Sequence, residues 1–279
     1  MDLWFTEKQT PVLTIGLKVR RLLEYRQTGY QELAVLETEQ YGRMLALDGI
    51  IQTTEVDEPS YHEMIVHVPM ATHPRPRRVA VVGGGDGGSI REVLKHPTVE
   101  EAVLIEIDPE VIEASKRWLP SLSSALDDER VQVVAADGRE YMERAARGEL
   151  PRFDVVIVDS TDPIRAAEGL FSQPFYQAVR DALNPDGILV AQTESPWVNQ
   201  DWVKGAYQAM SQVFPLVRLY LSVVPTYPAG LWSFTLGSLG PDPLKPQGQP
   251  PQGACRYYTP ELHQAAFVLP AFVQELIRA

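Results

Sequence analysis

An open, doubly wound α/β sheet behind a small β domain is the architecture this sequence predicts. Three observations carry it. Short apolar runs rich in β-branched residues occupy positions 79–82, 103–105, 131–134 and 155–158. Stretches of helical character separate them, and each run ends in glycine or an acid. Short buried runs alternating with helices read as parallel strands, and β-α-β alternation closes into a doubly wound sheet.

Taken in order, residues 1–56 read as a β domain, a meander with a turn at Gln40-Tyr41-Gly42 and an Asp48-Gly49 hairpin between 44–47 and 50–52. Asp57-Glu58-Pro59 opens a helix, since acids and proline suit a first turn. Tyr61, Ile65 and Val68 share one of its faces, and Pro69, Pro74 and Pro76 punctuate the link to the first parallel strand. The second and larger unit is then residues 57–279. Helices are expected over 89–96, 109–118, 138–146, 173–183 and 199–214, with a fifth strand over 187–192. The runs at 217–223 and 231–236 predict an antiparallel hairpin at one sheet edge. The proline- and glycine-rich stretch 237–253 reads as a flexible surface loop, followed by short helices near 260–267 and after Pro270.

A chain of 279 residues, 44% apolar, can bury one large domain or one plus a small one. Its net charge of −12 argues against a nucleic-acid partner, which needs a basic face. Cys255 is the only cysteine, which excludes an internal disulfide and a cysteine-based zinc site. The five histidines form no HExxH-like pair, so no metal site is expected. No long apolar run or basic-then-apolar leader is present, so the expectation is a soluble cytoplasmic protein without membrane contact.

Ligands of open α/β sheets bind beyond the carboxyl ends of the strands, where this chain carries Asp86, Glu106, Asp137, Asp159 and Asp162. A dinucleotide would place its pyrophosphate on the turn Gly83 to Gly88, where Asp86 opposes it. Glu106, twenty residues on, suits the two hydroxyls of a ribose, and Asp137-Gly138 can meet an adenine amino group. Ribose without pyrophosphate points to a ligand of the S-adenosylmethionine type. A ligand carboxylate ~4 Å from Asp86 would cost on the order of 4 kcal/mol at an effective dielectric of 20, which favours a decarboxylated form. A contact from Asp86 to the ligand's ammonium keeps the ordinary form open. Asp159 and Asp162, within Asp-Ser-Thr-Asp-Pro, can hold an ammonium and take its proton as the amine attacks. Tyr61, Trp197, Tyr227 and Trp232 are candidates to wall a groove for an alkylamine, with His62 as a polar contact.

The segments Tyr41-Gly42 through Asp48-Gly49, Tyr61-His62-Glu63, Gly83 to Gly88, Arg91-Glu92-Val93, Glu106-Ile107-Asp108, Asp159-Ser160-Thr161-Asp162-Pro163, Gln192-Thr193-Glu194 and Pro225-Thr226-Tyr227-Pro228 together resemble the spermidine synthase family of aminopropyltransferases, over nearly the whole chain. The resemblance implies a methyltransferase-like Rossmann domain behind the small N-terminal β domain. It implies transfer of the aminopropyl group of decarboxylated S-adenosylmethionine, a co-substrate and not a bound cofactor, to putrescine. It assigns proton acceptance to Asp159. It assigns amine binding to His62, Asp86, Asp162, Tyr61, Gln52 and Tyr227. The nucleoside falls to Gln31, Glu106, Asp137, Gly138 and Ala166. A homodimer or homotetramer is implied as well. One departure stands out: after Asp-Pro the family usually carries Gly-Pro, whereas this chain reads Ile164-Arg165-Ala166. An amine N-methyltransferase and a non-catalytic polyamine-binding protein are the alternatives, and cadaverine, agmatine and longer amines stay open as acceptors.

Overall fold

The computed structural model describes residues 2–161 and 169–278. Strands β1 (Leu3–Thr10), β2 (Leu13–Gln27), β3 (Glu32–Thr38), β4 (Arg43–Leu47) and β5 (Ile50–Thr54) form an antiparallel sheet in sequence order. The Asp48-Gly49 turn behaves as its sequence demands: both residues have positive φ, 49° and 77°, and Leu47 pairs Ile50 across it. That is the two-residue turn whose twist matches flanking strands. The long β1–β2 hairpin was not delineated by the sequence pattern. Glu7 on β1 accepts a hydrogen bond from the Ile51 N–H of β5 at 2.7 Å, so the sheet curls until its edges meet.

A seven-stranded sheet follows. β6 (Arg78–Gly83), β7 (Glu101–Glu106), β8 (Val131–Ala135), β9 (Phe153–Asp159) and β10 (Leu183–Gln192) are parallel, while β11 (Leu216–Val223) and β12 (Leu231–Ser238) form the edge hairpin. The order β11-β12-β10-β9-β6-β7-β8 puts the hairpin's second strand inside, against β10. The topology is doubly wound and Rossmann-like, and chain order reverses between β6 and β9. Alternate residues of each central strand face opposite cores. Val79, Val81, Val155 and Ile157 pack with α1 (Glu58–Thr72) and α2 (Gly88–Val93). Ala80, Val82, Val156 and Val158 pack with α5 (Gly138–Ala146) and α6 (Gln173–Ala182). The N-terminal sheet joins this body through Leu33, Val35, Leu45 and Leu47, buried against α3 (Pro109–Trp118) and α4 (Pro120–Ser123).

Three expectations need correction. Helix α1 runs past Pro69 to Thr72, because residues 58–72 are all buried and packing on every side outweighs the missing backbone donor. The 131–134 run is not buried throughout: β8 is the sheet's last strand, and Gln132 and Val133 are exposed. The 237–253 segment is tethered, with Gly248 N–H donating to Ala71 O at 2.8 Å and Gln247 N–H to Thr72 O at 3.4 Å. Those contacts satisfy carbonyls that the end of α1 leaves without helical partners. The chain closes with α7 (Gln200–Ser211), α8 (Pro260–Ala265) and α9 (Ala271–Arg278).

Candidate active site

The cleft opens where an open α/β sheet places it, at the carboxyl ends of β6 and β9, and has a volume of about 400 Å³. Glycine builds it in a way the sequence pattern does not reveal. The glycines of the β6–α2 turn make room for the site's own side chains as much as for a ligand. Gly84 has φ +71°, and a Cβ there would lie 2.6 Å from Asp159 Oδ2. A Cβ on Gly88 would lie 2.3 Å from the His62 ring.

Asp159, the last residue of β9, sits at the floor. Its Oδ1 accepts from Tyr61 Oη and its Oδ2 from Ser89 Oγ, both at 2.7 Å. Burial pushes its carboxyl above the usual carboxylate range. The charge of Asp86 adds to that, while His62, Ser89 and Tyr61 oppose it. Asp86 Oδ1 accepts the Gly88 N–H at 2.7 Å and faces His62 Nε2 at 3.4 Å. Burial pushes Asp86 up too, but His62 and the Gly88 N–H outweigh it and hold the carboxyl low. His62 is 1% exposed, and its Nδ1 lies 2.6 Å from Glu58 Oε2. Burial alone would strip its proton; Asp86 and Glu58 together push the imidazole well above its ordinary value. Tyr227 packs edge-on against Tyr61 at 5.6 Å and against Trp232 at 4.7 Å, and its hydroxyl donates to Gln52 O. A narrower extension of the cleft continues past Gln52 and Tyr227 to Trp232 and Glu7.

The other lobe is built differently. Glu106, at the end of β7, accepts the Asp108 N–H at 2.9 Å and the Gly85 N–H at 3.1 Å. Burial raises its carboxyl to about 7 despite those bonds. Asp137 caps α5, accepting from Arg139 and Glu140 N–H groups, and is exposed to solvent. Gly138 is required because a Cβ would lie 2.3 Å from Val82 Cγ1. Gln31 comes from the β2–β3 loop, held over the cleft by Asp108, whose Oδ2 accepts from Gln31 Nε2 at 3.0 Å and Thr28 Oγ1 at 2.7 Å.

Gln31, Gln52, Tyr61, His62, Asp86, Glu106, Asp137, Gly138, Asp159 and Tyr227 therefore all line one cleft. Asp162, Arg165 and Ala166 lie outside the described residues. Trp197 does not join the groove: it is 58% exposed and stacks on Phe272 at 4.2 Å. Sequence reasoning passed over Ser89, Glu58, Asp108 and Tyr30. Glu58 left a signal, standing four residues before His62 on one helical face.

A carboxylate pair beside a buried histidine, at the carboxyl ends of an open α/β sheet, is an arrangement suited to group-transfer chemistry. Comparison with known proteins agrees. Residues 58–242 match the spermine/spermidine synthase domain and residues 3–55 the spermidine synthase tetramerisation domain. The polyamine aminopropyltransferase of Caldicellulosiruptor bescii is 55% identical over all of this chain and 99% of its own length. A spermidine synthase solved with the transition-state analogue AdoDATO superposes with a TM-score of 0.94 at 43% identity, covering 99% of this chain and 95% of that one. The spermidine synthase of Thermotoga maritima gives 0.91 at 42% identity, covering 99% and 94%. The chain belongs to the spermine/spermidine synthase family and is a transferase of the spermidine synthase type.

Proposed function

We propose that this enzyme transfers the aminopropyl group of decarboxylated S-adenosylmethionine to putrescine, giving spermidine and 5′-methylthioadenosine. The observation that supports it most is the division of one cleft into two chemically distinct lobes. Glu106, Asp137, Gly138 and Gln31 suit the nucleoside, with Glu106 accepting from the ribose hydroxyls. Asp86, Asp159, Tyr61, His62, Gln52 and Tyr227 suit ammonium groups and methylene chains. Asp162 and Ala166 belong to the same proposal through the family pattern alone. A donor carboxylate placed close to Asp86 would meet its negative charge, and the relative bound to AdoDATO favours a decarboxylated donor for this chain as well.

In this reading Asp159 accepts a proton from the primary ammonium of putrescine, freeing the nitrogen lone pair. The nitrogen attacks the aminopropyl carbon bound to sulfur. The C–S bond breaks, its electron pair stays on sulfur, and the sulfonium becomes the neutral thioether of methylthioadenosine. The leaving group is already activated, so the protein's contribution is alignment and proton removal. No bound cofactor is part of the proposal. Assembly as a dimer or tetramer belongs to it, through the N-terminal sheet, which exposes Trp4, Leu22 and Tyr25. So does a cytoplasmic place of action.

The test is an acceptor panel (putrescine, cadaverine, agmatine, spermidine) with decarboxylated S-adenosylmethionine, read by product mass. Spermidine from putrescine is the expected main product. Methylated amine formed from ordinary S-adenosylmethionine would replace this reading with the N-methyltransferase one.

A further inference from the structure

Two charged side chains stand behind the site without touching the cleft. Arg91 on α2 donates through one nitrogen to both oxygens of Glu58, at 3.0 and 2.8 Å. Glu58 meets His62 Nδ1 at 2.6 Å, and His62 Nε2 faces Asp86 at 3.4 Å. The signs alternate along this chain, from guanidinium to carboxylate to imidazole to carboxylate. Glu58, His62 and Asp86 are all buried. Arg91 is anchored in turn by Glu92, which accepts from its Nε at 2.7 Å and also binds Lys95 and His67.

This arrangement answers a difficulty in the site. Two carboxylates buried in one cleft disfavour each other's ionisation, and such pairs tend to share a proton. Asp86 and Asp159 are in that position. A protonated Asp159 cannot receive the proton of an attacking amine. We propose that Glu58 and Arg91 are positioning residues that act through His62: they hold its imidazole as a cation against Asp86, and that cation lets Asp86 and Asp159 stand ionised together. Arg91 offsets the charge of Glu58, which would otherwise be a third anion in the same buried space. Among the described residues, the titratable and charged groups facing His62 and Asp159 are Glu58 and Tyr61 from α1, Asp86 from the glycine turn, Arg91 from α2 through Glu58 and Asp86 and, beyond Tyr61, Tyr227. The inference rests on the aminopropyl-transfer reading above.

The experiment compares kcat of wild type, E58Q and R91K at saturating substrates from pH 6 to 9.5, as the ratio of variant to wild type at each pH. That ratio cancels the titration of the substrates themselves. Methylthioadenosine affinity and thermal melting are measured alongside. E58Q keeps an acceptor for His62 Nδ1 but removes the charge. Its ratio should be lowest at acid pH and recover by about tenfold toward pH 9, equivalent to an acid limb moved up by about one unit. R91K should show the same displacement at smaller size, and methylthioadenosine affinity should stay within twofold in both. A loss equal at every pH, or no loss, overturns the inference. Should E58Q not fold, the profile of R91K decides by the same criterion. If wild type itself releases no methylthioadenosine with any amine, it is the transfer reading that fails.

Discussion

The two lobes of the cleft solve opposite problems. The lobe proposed for the amine is made of residues 8–9% exposed or less at Asp86, Asp159, His62 and Tyr61, each tied to another by a direct contact. The lobe proposed for the nucleoside takes its parts from separate places: a buried acid ending β7, an exposed helix cap, and a loop lent by the N-terminal sheet. A lobe that must keep several anions ionised where burial opposes their charge needs fixed counter-charges. A lobe that reads hydroxyls and an amino group needs shape and acceptors, which can be partly solvated. The same carboxylate side chain therefore does different work according to what lies behind it.

Substitutions can break this contrast. The largest effect is expected from D159N, with turnover reduced by about 10²–10⁴-fold, measured by methylthioadenosine release. Next is G84A. Its Cβ would lie 2.6 Å from Asp159 Oδ2 at φ +71°, so it should lower both melting temperature and kcat, at a cost of about 1–3 kcal/mol. Third, E106Q loses the charge that hydroxyls prefer and leaves one of the Gly85 and Asp108 N–H groups without an acceptor. Nucleoside affinity should fall by about 1.5–3 kcal/mol, seen by calorimetry, with the amine KM changed far less.

The fourth prediction is a pH dependence. With Glu106 raised to about 7, methylthioadenosine binding should strengthen several-fold from pH 6 to 8 as the carboxylate forms, and E106Q should flatten that profile. The sign for folding is the reverse. A raised acid contributes stability that is complete below its unfolded value, about 4.3, and is lost as pH rises through about 7. The smallest effect belongs to W197A. Trp197 stacks outside the cleft, so every KM should stay within twofold.

Much of the site is legible in the sequence, because the strand-end acids are local features: a β-branched run ends, an acid follows, and parallel topology brings the ends together. The Asp48-Gly49 turn is legible for the same reason. What the sequence hides depends on contacts between distant segments. Trp197 and Trp232 look alike in the sequence, yet one stacks on Phe272 of α9 and the other meets Tyr227. The glycine turn advertises a ligand, but its glycines also serve Asp159 and His62, which lie 75 and 26 residues from Gly84 and Gly88 in the chain. Pro69 signals a helix end that burial overrides. The exposure of β8 follows from its place at the sheet edge, which a strand's own sequence does not state.

The separation of the lobes is tested most directly by titrating methylthioadenosine into wild type and D159N by calorimetry at one pH, beside their turnover. If the two lobes are independent, D159N binds the nucleoside within about threefold of wild type while turnover collapses. A loss of affinity matching the loss of turnover would contradict the division, and retained turnover would remove Asp159 from proton transfer.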